Sequence, residues 1–547
     1  MSERDRARDG RVEQVVQAAR DAWLVAPPIG DAAYQEFGER LVDVLDGRWP
    51  ELAAANATDV EAGRGLGYPE PLLDRMTLCR GHLDQLRELA SSVAARLPGL
   101  VSAGPRVDGP RGIRSRRLPK PLGVVLMVYE ARPTVTIEAA LLTVSTGNAA
   151  ILRAGKEVAE TTAVLAGAAA DAAEASGLPA AIVQVVLDPD RSLLRGLLGR
   201  HDMIDVLVPR GSPSLIDFCR QATRIPVIAS GGGVNHLYVH QSADLRRAAV
   251  AVLDSKLPAP AGCTSLEMLL VDEPVTAAFL AALGAAAGER DWPPFRLRLP
   301  SWLVPAATGA GLTAEPLGEH DDGREFLDRT LALRQVSGPD EAIRHIERHG
   351  SGHTEAVFAE TAHTVRRFCA RVDAATIVVN GSLRLNDGPT MGIGPELAIS
   401  TNRLHVRGPV TMEALLTSCW VVEGNGALRD EPPPRCSARL VEPPPVAPAA
   451  TAGHGPENAA RAAVSTAVRR LVIRESRLTM PADDLAEDEP LNGPLLRINS
   501  LGFLGMLVRL EDELDVSLPD EMLVGRRFDT VRDLVDVVAS SVEGDRR

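Results

Sequence analysis

Lysine is almost missing from this chain. Lys120, Lys156 and Lys256 are the three lysines, against 56 arginines in 547 residues. A GC-rich genome exchanges lysine for arginine. The survivors then mark places where a compact ammonium is needed and a planar guanidinium does not serve. Positive charge is also short overall, and the net charge of −14 argues against a nucleic-acid groove. Aromatic residues make up 3% of the chain, while 45% is hydrophobic, enough for about three to four domains with ample core. No apolar run reaches the roughly 20 residues of a membrane span. The first residues, MSERDRARDGRVEQVV, are charged and hold no apolar signal core. Six cysteines form no CxxC pair and no disulfide framework. The expectation is a soluble protein of a reducing cytoplasm. GxGxxG, GxxxxGK[ST], HExxH and GxSxG are absent as well, which removes the common nucleotide, zinc-protease and serine-hydrolase signatures.

The order of elements is nonetheless legible. Residues 11–100 read as mostly helical. From PLGVVLMVYEA (121–131) the chain alternates: a buried strand, a helix over 134–147, a strand over 148–155, and an alanine-rich helix over 156–177. The beat continues through AAIVQVVLD, a helix near 190–200, IDVLVPRG, a helix near 212–223, and PVIAS. A second alternating block runs from about 265 to 380. Strand–helix alternation predicts an α/β fold with parallel sheets. DEPPPRCSARLVEPPPVAPAATAGHGPEN, within 428–458, reads as a Pro/Ala-rich extended linker. Beyond it, 459–547 reads as a small helical bundle, with 17 Asp and Glu against 12 Arg. Leu504, Leu507, Val508 and Leu510 lie near helical spacing there, and Asp529 or Thr530 can cap the last helix.

Cys263 is the candidate nucleophile. It lies on a Pro/Gly/Ala loop just before the strand-like SLEMLLVD. Such a loop can expose a thiol and turn its own N–H groups toward an oxyanion. Cys79, Cys219, Cys369 and Cys419 read as packing residues, and Cys436 falls in the linker. HIERH (345–349) spaces two histidines four apart, but Glu347 is misplaced for a zincin, and no metal is expected. His349 and His353 read as loop residues.

Five blocks occur in order: PLGVVLMVYEARPTVTIEAA, STGNAAILRAGKE, IDVLVPRGS with IPVIASGGGVNHLYV, the block around Cys263, and VVNGSLRLNDGPTMGIGPELAIST followed by RLHVRGP. On these, the chain from about 11 to 427 resembles gamma-glutamyl phosphate reductase, also called glutamate-5-semialdehyde dehydrogenase, of the aldehyde dehydrogenase superfamily. The resemblance implies an α/β reductase within 1–427. Residues 1–235 would mainly bind the cofactor NADPH, 236–400 would mainly carry catalysis, and the remainder would form an oligomerisation element, so a homo-oligomer is expected. It places Cys263 on the catalytic cysteine. Lys156 falls on the lysine at the adenosine ribose or its 2′-phosphate, with Arg153 grouped beside it. Pro209, Arg210, Gly211 and Ser212 fall near the pyrophosphate, where helix N–H groups suit an anion. Glu325, in EFLD, matches a glutamate at the nicotinamide ribose. The family's YEARPN reads YEARPT here, so Thr134 stands where an oxyanion-stabilising asparagine is expected. NAKTQRP reads DSKLPAP: Lys256 is kept as a catalytic-site residue, Asp254 replaces Asn, and Pro258 and Ala259 replace Gln and Arg. Asn235 replaces a cysteine. The lost arginine removes a natural partner for phosphate.

INSLGFLGMLVRLEDELDVSLPDE resembles the core of an acyl carrier protein. Ser500 falls on the serine that carries 4′-phosphopantetheine, at a helix start that suits a phosphodiester. Asn499 replaces the motif's aspartate. Taken together, these resemblances imply an NAD(P)H-dependent, aldehyde-forming reductase of an activated acyl group. The acyl or aminoacyl group, glutamyl-like, would ride as a thioester on the fused carrier, in specialised metabolism. The implied partners are a small acyl or amino-acid substrate, a phosphopantetheinyl transferase and a carrier-loading ligase or kinase. Three alternatives stay open: reduction of gamma-glutamyl phosphate with the carrier serving another step, an inactive reductase serving as a carrier-docking scaffold, and a carrier that delivers to a different enzyme.

Overall fold

The computed structural model describes residues 3–188, 190–424 and 426–429. In the C-terminal part it describes the helices Pro456–Glu475 and Val531–Gly544, with residues 482, 485–491, 496, 510 and 530 between them. The chain divides into two units, Met1–Ala438 and Arg439–Arg547.

In the first unit, Val124–Tyr129 is buried at every position. A β-branched run of this kind suits a parallel strand covered on both faces. Arg-Pro stops it, Pro133 opens the helix Pro133–Ser145 at its first turn, and Gly147, with φ of 78°, lets the chain turn back. The next strand, Ala149–Arg153, lies parallel beside the first. Val183–Val185 and Val206–Arg210 complete a four-stranded sheet in the order Val183–Val185, Ala149–Arg153, Val124–Tyr129, Val206–Arg210. PVIAS adds no full strand; Val227 makes a single bridge to Leu207, because Pro226 and the glycines beyond leave too short a ladder.

Five helices from Glu3–Val25 to Arg80–Val101 precede this sheet, and residues from them share its apolar core. Asp59 ties the layers together. Its carboxylate accepts from the backbone N–H groups of Glu160 (3.2 Å) and Thr161 (2.8 Å) and from the Thr161 hydroxyl (2.6 Å). One N-terminal helix therefore caps the start of helix Ala159–Ala175.

A second parallel sheet has seven strands, from Ala314–Pro316 at one edge to Thr376–Val379 at the other. Its centre is Asn235–Val239, Leu266–Asp272 and Thr330–Val336. Two antiparallel pieces flank the sheets: Glu396–Ser400 with Gly408–Thr411, and Arg114–Pro121 with Leu416–Glu423. The architecture is an α/β fold with two parallel sheets, as the alternation implied. His349 is an exception to the sequence reading, because it closes the helix Pro339–His349 and is not in a loop. No group of three metal-ligating side chains forms among the described residues. No helix of the described residues is long and apolar enough to cross a membrane.

The second unit packs Val464, Val468, Leu471 and Val472 of its first helix with Val531, Leu534, Val535 and Val538 of its last. Thr530 caps that last helix: its hydroxyl accepts from the Asp533 N–H (3.4 Å), and its own N–H donates to the Asp533 carboxylate (2.8 Å). Glu487 draws Arg469 (3.5 Å), Arg461 (3.6 Å) and Arg532 (3.8 Å) toward it. Ser500 and the expected helix around Leu504, Leu507 and Val508 lie outside the described residues. Leu510 is described and fully buried.

Asp59→Ala removes a buried acceptor from two backbone donors. The unfolding free energy of the first unit, read by urea denaturation, falls by about 1–3 kcal/mol. An unchanged midpoint would remove Asp59 from this role.

Candidate active site

The site gathers where the carboxyl ends of the first sheet's strands meet loops at the amino ends of the second. Helix Leu245–Lys256 ends at the last of the three lysines before the Cys263 loop, and the loop leads into strand Leu266–Asp272. Gly262 N–H donates to Ala259 O (3.0 Å) and Ser265 N–H to Gly262 O (2.9 Å), so Cys263 and Thr264 form the tip of a turn. Cys263 is exposed there.

Two buried devices hold the turn. Lys256, 1% exposed, places its ammonium 2.8 Å from Glu267 and within 3.5 Å of the Pro260 carbonyl. The Phe326 N–H also donates to Glu267 (3.1 Å). Burial pushes Glu267 up to about 7 and Lys256 down, and each charge opposes the other's shift. The Lys256 ammonium thus points into the protein to support the loop. The second device is Asn235, fully buried, whose amide donates to Cys263 O (2.8 Å) and Ser265 O (2.7 Å) and accepts from Thr354 N–H (3.1 Å).

The glycines before Asn235 complete the wall. A Cβ on Gly233 would stand 2.6 Å from Cys263 O, so the two backbones touch. Gly233 N–H donates to Glu325. Glu325, Gly233 and Cys263 are therefore one cluster.

The thiol feels opposing influences. Enclosure by protein raises it above the ordinary cysteine value. Arg210 draws it down, Glu396 pushes it up, and Arg132 and its own N–H draw it down again. Burial and the nearby Asp387 push the Glu396 carboxyl up to about 7. Arg210 ends its strand with its guanidinium donating to Leu397 O. It stands on the Cys263 side as well as at the expected cofactor edge.

That edge has its own geometry. Ser212 caps helix Pro213–Gln221. Its N–H donates to Glu130 at 3.0 Å and its hydroxyl at 2.8 Å. A carboxylate already rests where a helix N-terminus receives an anion. Gly211 makes the approach possible, since a Cβ there would meet the Glu130 carboxyl at 2.7 Å. Lys156 is exposed just past strand Ala149–Arg153. Burial lowers Arg153, which ends that strand. Pro209 is buried within its strand and presents no group to a ligand.

Thr134 sits at the first turn of its helix, beside a small apolar cavity lined by Trp49, Leu83 and Ile137, and no hydrogen bond joins it to Cys263 among the described residues. Two sequence readings change. Cys79 and Cys369 are exposed, at a helix cap and on a short surface helix, so they are not packing residues. His353, fully buried, is packed where a solvated loop residue was expected. Cys219 is a packing residue, buried and with its thiol pushed up to about 11 by burial. Sequence reasoning passed over Glu130, Arg132 and Glu396 as site residues. All three lie inside the blocks that carried the resemblance, and what hid them was the lack of any local pattern linking them to Cys263.

Comparison with known proteins follows the same division. The aldehyde dehydrogenase family model matches residues 77–291, and the phosphopantetheine attachment site model matches residues 467–538. A gamma-glutamyl phosphate reductase of Sorangium cellulosum is 40% identical over 426 residues, 77% of this chain and 98% of the relative. The crystal structure of gamma-glutamyl phosphate reductase from Thermotoga maritima superposes with a TM-score of 0.72 at 29% identity, over 77% of this chain and all of that one. An acetylating aldehyde dehydrogenase of Geobacillus thermoglucosidasius shares the fold at TM-score 0.58 and 20% identity, over 79% of this chain and all of that one.

Alkylation of Cys263 by iodoacetamide, followed by peptide mass spectrometry, has its pH midpoint above that of an ordinary exposed thiol. Arg210→Gln moves the midpoint further up, because Arg210 favours the thiolate. A midpoint that stays still, or falls, contradicts this electrostatic picture.

Proposed function

Because the chain belongs to the gamma-glutamyl phosphate reductase family, we propose that it is an oxidoreductase that reduces a carrier-bound acyl thioester to an aldehyde through Cys263. The observation that carries this reading is the pairing, in one chain, of an exposed cysteine held by a built loop with a phosphopantetheine attachment domain. The carrier arm would be attached at Ser500. The acyl group is glutamyl-like or a simpler acyl chain, and a separate ligase or kinase loads it. Tethering keeps the thioester at an effective concentration on the order of mM when the linker spans the sites.

The Cys263 thiolate forms a bond to the acyl carbon while the arm's C–S bond breaks, and the departing thiolate takes up a proton. The Cys263-bound acyl group is brought to the aldehyde level by a hydride, which NADPH would supply when bound. Collapse then returns the sulfur as thiolate and releases the aldehyde. The chain's residues fit that cofactor: the Ser212 helix end already receives carboxylate oxygens at phosphate-like distances, and exposed Lys156 offers a cation at the same edge. Lys156 and Arg153 would hold the adenosine end, Gly211 and Ser212 the pyrophosphate, and Glu325 the nicotinamide ribose. Lys256 and Asn235 act as positioning residues that fix the nucleophile's turn. No step uses a water-activating carboxylate, because the acyl-enzyme is reduced and not hydrolysed.

A second reading is reduction of gamma-glutamyl phosphate itself. The 40% identity to a reductase of that name favours it, and the carrier would then serve another step.

The test is intact-mass spectrometry of protein co-expressed with a promiscuous phosphopantetheinyl transferase, beside Ser500→Ala. The arm is then loaded with a glutamyl or simple acyl group and NADPH oxidation is followed, with Cys263→Ala as control. The expected result is a pantetheine mass increment lost in Ser500→Ala, and Cys263-dependent oxidation of the loaded form. No increment, or oxidation with acyl phosphate alone, selects the second reading.

A further inference from the structure

Strands Asn235–Val239 and Thr354–Phe358 lie side by side in the second sheet, with Glu355 opposite His236. Both side chains are fully buried. The Glu355 carboxylate accepts the His236 backbone N–H at 2.8 Å and meets the ring Nδ1 at 3.1 Å. The other ring nitrogen, Nε2, is buried and has no partner among the described residues. Two further imidazoles continue from it. His345 packs edge-on against His236, with ring centres 5.3 Å apart, and His349 lies 4.7 Å beyond His345. These two share one face of helix Pro339–His349, four residues apart. The Nε2 of His345 is buried without a partner too. Ala342, Ile343 and Ile346 of the same helix pack with Tyr238, Met268 and Leu270.

Backbone contacts carry this arrangement to the Cys263 turn. Gly350 follows the helix, and a Cβ there would stand 2.8 Å from Glu355 Oε1, so the chain runs close against the carboxyl. Ser351 then donates to Val234 O from both its N–H and its hydroxyl, each at 3.3 Å. Val234 lies between Gly233, whose backbone touches Cys263, and Asn235, whose amide holds Cys263 O and Ser265 O. Thr354, beside Glu355, fixes Asn235 in turn. The helix end, the buried pair and the turn are thus joined in series.

Charge bears on every member of the series. Burial, then His236 and His349, holds His345 down at about 3, and burial holds His353, next to Thr354, at about 4. Burial raises Glu355 against the pull of His236. Asp322 favours a proton on His345 and His349, but Arg334 sits on that carboxylate at 2.8 Å and opposes it. Glu341 and Arg348 face the two histidines from the helix itself. A histidine held below its ordinary value takes its proton only once released. The closed arrangement is therefore favoured above about pH 6.5 and is lost as pH falls below it.

We propose that helix Pro339–His349 is a proton-responsive latch on the Cys263 turn, with His345 as its sensor and the His236–Glu355 pair as its link to the turn. With the histidines neutral, the helix stays closed over His236 and the turn is held. A proton from solvent on His345 places a cation against a buried ring and an unpartnered nitrogen, where nothing accepts its N–H. The helix then lifts, and its hold on Val234 and Asn235 weakens with it. The consequence is a nucleophile assembled at neutral pH and loosened by acid. That consequence rests on the reading of Cys263 as the acyl-accepting nucleophile; the latch itself does not.

The test is amide hydrogen exchange of the full-length protein, read by mass spectrometry at pH 7.5 and 5.5 with times scaled for the intrinsic pH dependence of exchange. Three peptides are compared: 339–349, 258–266 and, as a control beside the first sheet, 133–145. Protection of the first two should fall together by about tenfold at pH 5.5, the linkage of one histidine, while the control stays unchanged. His345→Phe keeps a ring on His236 but takes no proton, so its protection at 339–349 and 258–266 should be equal at both pH values. His345→Gln should behave likewise and serves where the phenylalanine variant does not fold. Equal protection at both pH values in the unmodified protein overturns the latch. So does a fall confined to 339–349, a fall shared by the control, or a response that persists in the His345 variants. Iodoacetamide labelling of Cys263 at pH 7.5 is read in parallel. An inert thiol beside an intact exchange response overturns the nucleophile reading and leaves the latch standing.

Discussion

The ion pair between Lys256 and Glu267 sits where water does not reach, with both side chains at most 2% exposed. Two charges in such a place are costly unless their geometry is good and their remaining bonding sites are used. Here they are: Glu267 also receives the Phe326 N–H, and the ammonium reaches the Pro260 carbonyl. The pair therefore links the helix before the nucleophile, the loop that carries it, the strand after it and the segment that carries Glu325. A guanidinium is larger, flat and forked, and would not fill the same buried point. This gives a physical reason for one of three lysines to survive in a chain that otherwise uses arginine.

Asn235 complements that pair from the other side. Its amide satisfies two carbonyls of the turn, which would otherwise be buried acceptors without partners. A cysteine at this position, as the family resemblance implies, cannot donate two such bonds. The loop here is consequently fixed by hydrogen bonds to its backbone, and its side chains are left available for chemistry. That matters for a thiol whose ionisation is opposed by enclosure and assisted by arginines: small displacements of the turn would change the balance.

Much of this was legible from residues alone. The strands at Val124–Tyr129, Ala149–Arg153 and Leu266–Asp272 are continuous apolar runs, and the helices between them start at Pro133 or end at Gly147. Such signals are local, so they survive without a structure. Cys263 was legible because its loop chemistry is local too. Arg132, Arg210 and Glu396 come from three separate stretches of chain, and only the fold lets their charges act on one sulfur. Lys256 was visible as a rare residue but not as a buried one, since nothing in DSKLPAP announces Glu267 eleven residues later. Thr134 illustrates a related point. A motif position fixes where a residue stands in the helix, but the helix's packing against the N-terminal layer decides which cavity its side chain borders.

Charge ties the two ends of the site together. At the cofactor edge, Glu130 occupies the Ser212 helix end. At the nucleophile, the charges of Arg210 and Arg132 act on the sulfur. Glu130 and Arg132 are two residues apart on the same turn, so an anion that replaces the Glu130 carboxylate at Ser212 also frees a negative charge beside the arginines. Where the released carboxylate stays near Arg132, binding at one end alters the electrostatic cost at the other, and by linkage the effect is reciprocal. A dinucleotide pyrophosphate at Ser212 and an acyl donor at Cys263 would then be coupled through Glu130. If the released Glu130 turns toward Arg132, the two ligands oppose each other, which favours taking them in sequence. If it turns to solvent, their sites are independent. The fold sets up this choice by placing strand Val124–Tyr129 between the sheet's other strands, so that its carboxyl end serves both sites at once.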